Sequence, residues 1–168
     1  ERRIAYVTQY GRPEGRFPPL PPSIRHIALD AGPKGFATLN LARAKVFVTT
    51  TPQLGVMMFK RSRRVSHYCH LLHAASDIST YRFFAFDQFD SVLCAGEYMK
   101  ESFRELERQR GTRPKRLYTT GITYFDAFAR MAPAPAPAPG RKTLLVAPSW
   151  GPNGLFSVYG TGFLRLSG

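Results

Sequence analysis

Residues 64–97 read RVSHYCHLLHAASDISTYRFFAFDQFDSVLCAGE and hold three of the four histidines and both cysteines. Two apolar segments in it, Val65–Leu72 and Ser91–Ala95, have the length and β-branched, aromatic content of buried strands. Between them, Ser76 and Asp77 form a helix N-cap signature ahead of Ile78–Phe86. If the first strand enters a parallel sheet, His67 and His70 lie within it and His73 stands at its exit.

Outward from that stretch, strand and helix signals alternate. On the N-terminal side, Ile4–Val7 reads as a short buried strand and His26–Leu29 as a second short strand, separated by a Pro- and Gly-rich loop over 11–22. His26 reads as a surface or strand-end residue. Residues 32–43 suit a turn and a short helix, and KVFVT at Lys45–Thr49 is a strand of the fully buried type. Thr50, Thr51 and Pro52 then form a helix-start signature, predicting a helix over Gln53–Phe59 that ends in Lys60, Arg61, Arg63 and Arg64. On the C-terminal side, Tyr98–Arg110 carries Phe103 and Leu106 on one face, with Glu101–Arg104 and Glu105–Arg108 at i,i+3 and Gly111 as a stop. A strand at Arg116–Thr120, a turn at Gly121 and a short helix at Tyr124–Met131 follow. The alternation predicts an α/β, Rossmann-like parallel sheet with helices on both faces.

Residues 132–139 are a strict Ala-Pro repeat, the composition of a semi-rigid polyproline spacer of roughly 25 Å. The expected organisation is a Rossmann-like domain over 1–131 incomplete at its N-terminus, a linker over 132–140, and the first strand (Lys142–Ala147) and loop of a truncated second domain over 141–168.

Twenty-four Lys and Arg against eleven Asp and Glu give a formal charge of +13, which selects anionic partners without choosing among them. Lys60, Arg61, Arg63 and Arg64 form one anion-attracting cluster, and Arg108, Arg110, Arg113, Lys115 and Arg116 a looser one. The basic residues are not interleaved with aromatics, and neither zinc-finger spacing nor an RNA-recognition signature is present, which argues against a nucleic-acid module. No apolar run has membrane-spanning length and no signal layout opens the chain, so a soluble, cytoplasmic protein is expected. Cys69 and Cys94 lie in apolar runs and read as small buried residues.

Several segments together resemble the N-terminal part of bacterial CDP-glycerol glycerophosphotransferases, the teichoic-acid poly(glycerol phosphate) polymerases related to two-domain GT-B transferases. They are TTTPQL (Thr49–Leu54), FKRS (Phe59–Ser62), LLHAASDISTYRFFAFDQFDSVLCAGE (Leu71–Glu97), ELE (Glu105–Glu107), TGITYFD (Thr120–Asp126) and APSWGPNG (Ala147–Gly154). The resemblance implies a GT-B half, CDP-glycerol or another nucleotide-activated donor as substrate with no cofactor, and a glycerol-phosphate polymer or lipid-linked acceptor. It also implies peripheral contact with an anionic membrane at the inner face, and His73 as the base that activates the acceptor hydroxyl. Because donor recognition lies in the second domain of such enzymes, this chain alone is expected to be inactive. A non-catalytic domain for anionic polymer or membrane surfaces, and a GT-B transferase with a different donor, stand as alternatives.

Imidazole chemistry suits a base at neutral pH. The rival reading of His73 is a strand-end histidine bonded to a carbonyl or to Asp77. His70, Ser76, Asp77, Gly96, Glu97 and Gly121 are candidate acceptor or cleft residues; Ser76 and Asp77 are equally a cap, and the glycines equally turn formers. Tyr81, Phe83, Phe84, Phe86 and Phe89 read as packing, with a membrane-facing surface as the alternative. A three-histidine metal site at His67, His70 and His73 is disfavoured, because alternate strand positions face opposite ways.

Overall fold

The computed structural model describes residues 3–9, 19–74, 77–81, 84–131, 140, 146–148 and 151–160. The chain divides into two compact units, Glu1–Arg130 and Met131–Gly168. The Ala-Pro repeat, residues 141–145 of the expected second-domain strand, Ser76, Phe83 and the tail over 161–168 lie outside the described residues.

The first unit is α/β. Strands β1 (Ile4–Thr8) and β2 (Ile24–Ala28) form a two-stranded parallel sheet, followed by helix α1 (Pro33–Asn40). Strands β3 (Ala44–Thr49), β4 (Val65–Leu71), β5 (Ser91–Cys94) and β6 (Arg116–Thr119) then form a second sheet, all parallel and in sequential order. Helix α2 (Tyr98–Arg110) links β5 to β6, and α3 (Thr123–Ala129) follows β6. A four-stranded parallel sheet flanked by helices is compatible with a Rossmann-like fold. In the second unit one helix, α4 (Leu155–Tyr159), is described, where the sequence reading places no element.

Strand alternation and register divide the sheet into two unlike faces. Phe47 is opposite Tyr68, His70 opposite Val92 and Val92 opposite Leu117, so these side chains share a face. That face packs into two core clusters. In one, Val92, Cys94 and Leu72 meet Ile78, Phe86, Met99 and Phe103. In the other, Tyr68 meets Leu54, Phe59 and Phe89, with Phe36 and Leu39 of α1 against them. On the other face Val46, Val48 and Tyr118 are each at least half exposed. Among the described residues, therefore, the two core clusters draw mainly on one side of this sheet, not equally on both as the alternation predicts, although Cys69 and Ser91 on the other side are also buried. A sequential strand order explains this, because crossovers of one hand taken in one direction all land on one face. The same asymmetry leaves β3 half-solvated rather than fully buried. Ile4, Tyr6 and Val7 of β1 are likewise exposed where a buried strand was expected.

Helix α2 follows its sequence pattern. Met99, Phe103 and Glu107, four residues apart, are its buried positions, and Gly111 ends it in the left-handed conformation at φ 60° that glycine adopts without Cβ strain. The Glu105–Arg108 pair forms, but Arg104 pairs with Glu107 rather than Glu101. Glu107 is buried, accepts from Arg104 Nη1 at 2.6 Å and from the Lys115 amide at 2.8 Å, and so fastens the helix to the entry of β6.

Two expected helices are not formed. Residues 54–58 form a turn and a bend: Gln53 has φ 68° and Gly55 φ 82°, and the Gln53 amide donates to the Ala85 carbonyl at 2.7 Å, which draws Leu54 fully into the core. After Asp77 only a one-turn 3-10 helix, Ile78–Thr80, is described, and Phe84 adopts φ 62°, incompatible with a helix continuing to Phe86.

Candidate functional site at the strand-exit edge

In a parallel sheet every strand exits at the same edge, and ligand sites of open α/β sheets gather there. Hydrogen bonds carry the ladder past the strands: the Leu72 amide donates to the Leu93 carbonyl and the Thr120 amide to the Cys94 carbonyl. The exits of β4, β5 and β6 are thus held side by side, at about 4.8 Å per strand. His73, Gly96, Glu97 and Gly121 all follow these exits, so the structure brings these sequence-derived candidates to one edge.

His73 is exposed, two residues beyond β4, and makes no hydrogen bond among the described residues. It is not tied to Asp77. The Asp77 carboxylate accepts from the Ser79 amide at 2.7 Å as the cap of the 3-10 turn, and those hydrogen bonds lower its pKa. Asp77 is therefore a cap residue here. Gly96 lies against Tyr98: a Cβ on it would stand 2.6 Å from a ring carbon. Gly121 has φ 75°, a turn conformation. The Glu97 carboxylate accepts from Thr119 Oγ1 and from Lys100 Nζ at 2.9 Å, and these bonds hold its pKa below the ordinary glutamate value. It is a fixed anion at the rim.

His70 departs from its expected role as a cleft residue. Its ring is fully buried, with Phe86 at 5.1 Å and Phe89 at 5.0 Å between centroids, and neither ring nitrogen has a hydrogen-bond partner among the described residues. Burial, reinforced by the nearby His73, lowers its pKa to about 4. A neutral imidazole sealed by two phenyl rings cannot touch an acceptor; strand alternation points it into the core. His67 faces the opposite way, its Nε2 2.8 Å from Ser91 Oγ. The three histidines do not converge, and among the described residues no three His, Cys, Asp or Glu side chains form a metal-binding group.

Protein-family models, curated proteins and solved structures were compared with the chain, and none matches.

The basic cluster lies elsewhere. Lys60, Arg61, Arg63 and Arg64 precede β4, so they stand at the strand-entry edge, separated from His73 by the seven residues of β4 and hence by roughly 20 Å. They do not share an edge with the exit-side candidates. Arg61 is committed to Asp90, with Nη2–Oδ2 at 2.8 Å and Nη1–Oδ1 at 3.2 Å. Asp90 also accepts from the Tyr68 amide at 2.8 Å and from Arg113. Burial pushes the Asp90 carboxyl up, but the Arg61, Tyr68 and Arg113 donors outweigh it and hold the pKa at about 2.

Sequence reasoning did not single out Asp90. The available signal was an acid immediately before a buried strand, but its two arginine partners are 29 and 23 residues away. Among the described residues no helix is long and apolar enough to cross a membrane.

Proposed function

We propose that this chain is the acceptor-side part of a GT-B-type glycerophosphotransferase, moving glycerol phosphate from CDP-glycerol to a hydroxyl on a glycerol-phosphate polymer or a lipid-linked acceptor. The observation that carries this reading is the position of His73: solvent-exposed, without a hydrogen-bond partner among the described residues, at the exit edge of a parallel sheet. In the reaction, the acceptor oxygen attacks the glycerol-bearing phosphorus, the bond from that phosphorus to the CMP oxygen breaks, and CMP departs. His73 in its neutral form takes the acceptor proton as the new P–O bond forms. Glu97, anchored by Thr119 and Lys100, is a fixed negative charge on the same edge, suited to orient an acceptor hydroxyl. The negative charge on the transferred group requires cations or backbone N–H groups. The Lys60–Arg64 cluster does not supply them at this edge, so donor neutralisation falls to a donor-binding domain.

The direct test is CMP release from CDP-glycerol in the presence of a glycerol-phosphate acceptor, measured with the chain joined to a donor-binding GT-B domain. Release specific to CDP-glycerol supports the reading. Turnover of a nucleotide sugar in its place reassigns the donor. Absence of turnover with every donor, together with retained polymer binding, converts the protein to a non-catalytic binding domain.

A further inference from the structure

The strand-entry edge, which the transfer reaction does not use, gathers cations from several separate loops. Arg43 precedes β3, Lys60–Arg64 precede β4, Arg110 and Arg113 precede β6, and Arg116 opens it. Lys60, Arg63, Arg64 and Arg116 are exposed and make no ion pair among the described residues. At the same edge lies a cleft of about 480 Å³ lined by Arg61, Asp87, Gln88, Thr112 and Arg113, from the loops before β4, β5 and β6. Its one acid, Asp87, is matched by Arg110 at 2.9 Å. The Asp90 carboxylate between Arg61 and Arg113 aims both guanidinium groups, while Arg113 remains largely exposed.

Two buried polar groups at this edge are short of partners. Thr112 lines the cleft, but its hydroxyl is closed to solvent and has no hydrogen-bond partner among the described residues. The Lys115 ammonium makes no hydrogen bond among the described residues, and it pairs with the Glu107 carboxylate only at 3.9 Å.

We propose that this cleft and the cations flanking it bind a linear chain of phosphate groups that carries no bases. Guanidinium groups held by a carboxylate, and an amide side chain, are groups that recognise phosphate oxygens. No aromatic ring lines the cleft, so nothing there stacks a base, as single-stranded nucleic-acid sites do. The cations come from several separate loops around a partly open cleft rather than from one flat face, which suits individual phosphates better than the plane of a bilayer. The entries of β4 and β6 are two strands apart, about 10 Å, so a chain crossing the edge meets Arg63 and Arg64 on one side of the cleft and Arg116 on the other. The proposal does not depend on the transferase reading, because binding requires neither His73 nor a nucleotide donor.

The test is fluorescence-polarisation binding of labelled inorganic polyphosphate to the full chain across a salt series. Competition with a single-stranded DNA homopolymer, and sedimentation with vesicles containing anionic phospholipid, are measured alongside. The double variant R63A/R64A should weaken polyphosphate binding roughly tenfold and flatten its salt dependence, as lost phosphate contacts do. Arg113→Gln, which removes the exposed guanidinium that lines the cleft, should weaken it several-fold. Removing the exposed cations Lys34 and Arg130 together should leave it unchanged. Unaltered thermal midpoints distinguish a lost site from a lost fold. Equal weakening by the Lys34/Arg130 control, or no response to Arg113→Gln and R63A/R64A, overturns the site. Tighter binding of DNA or vesicles than of polyphosphate overturns the assignment to a base-free phosphate chain.

Discussion

His70 and His73 stand three residues apart, yet one ring is sealed between Phe86 and Phe89 and the other is open to solvent. The difference follows from strand geometry: His70 is inside β4 on its core face, and His73 is past the last ladder residue. The same side chain is thereby given two settings, a core ring between phenyl groups and an exposed ring at the rim.

For His70 the consequence is acid sensitivity. Its folded-state pKa of about 4 lies below the ordinary histidine value of 6.5, so the unfolded chain binds a proton that the folded chain refuses between those values. Stability is therefore full above pH 6.5 and falls as the pH drops toward 4, by about 3 kcal/mol from this group. Because neither nitrogen has a partner, His70→Leu should flatten that limb and leave the protein as stable or more stable at pH 5. Urea unfolding midpoints of both proteins from pH 7 to pH 4 check this; parallel slopes would refute it.

Asp90 governs a lower window. Its carboxylate is held at about 2, so its contribution is complete above pH 3.8 and is lost as the pH falls through 2. Asp90→Ala strips the Tyr68 amide, Arg61 and Arg113 of a shared acceptor and should cost about 2–4 kcal/mol at neutral pH. Chemical denaturation reads that loss directly, and a change below about 0.5 kcal/mol would mean the pairing is replaced by solvent.

Gly35, buried in α1, tests how tightly that helix is seated. A Cβ there would stand 2.0 Å from the Asp30 carbonyl oxygen, a backbone atom that cannot swing aside. Gly35→Ala should lower the thermal midpoint markedly, by an amount equivalent to about 1–3 kcal/mol. Gly96→Ala makes a close approach only to the ring of Tyr98, which is about half exposed and free to turn, and should cost less. The reverse order would be inconsistent with this packing.

The α2 face offers a calibrating pair. Phe103 is fully buried against Phe86, whereas Phe128 on α3 is 60% exposed. Phe103→Ala should cost about 3–5 kcal/mol, and Phe128→Ala no more than about 0.5 kcal/mol. Equal losses would place α3 in the core.

The elements written most clearly in the sequence were those fixed by local periodicity. The helix over Tyr98–Arg110 was found with its glycine stop, and β4, β5 and β6 within a residue or so of their ends. The Thr50–Pro52 cap signature failed because a distant hydrogen bond, Gln53 to Ala85, and burial of Leu54 decide that segment, and no local pattern records either. β3 looked fully buried because apolar content does not say how many faces a neighbour covers. At the exit edge, His73 was legible as a strand-end residue. His70 was misplaced because a histidine without partners in the core is not what its polarity suggests. The separation of Lys60–Arg64 from His73 followed only once strand direction turned sequence distance into opposite edges.

The central claim is that His73 takes the proton of the attacking hydroxyl. The most direct measurement is the CMP-release rate from CDP-glycerol with the chain carried in a two-domain transferase, comparing His73→Ala with the unaltered protein at saturating donor and matched thermal midpoints. The account predicts a loss of about 10²–10⁴-fold in rate. An unchanged rate in the folded variant would contradict it.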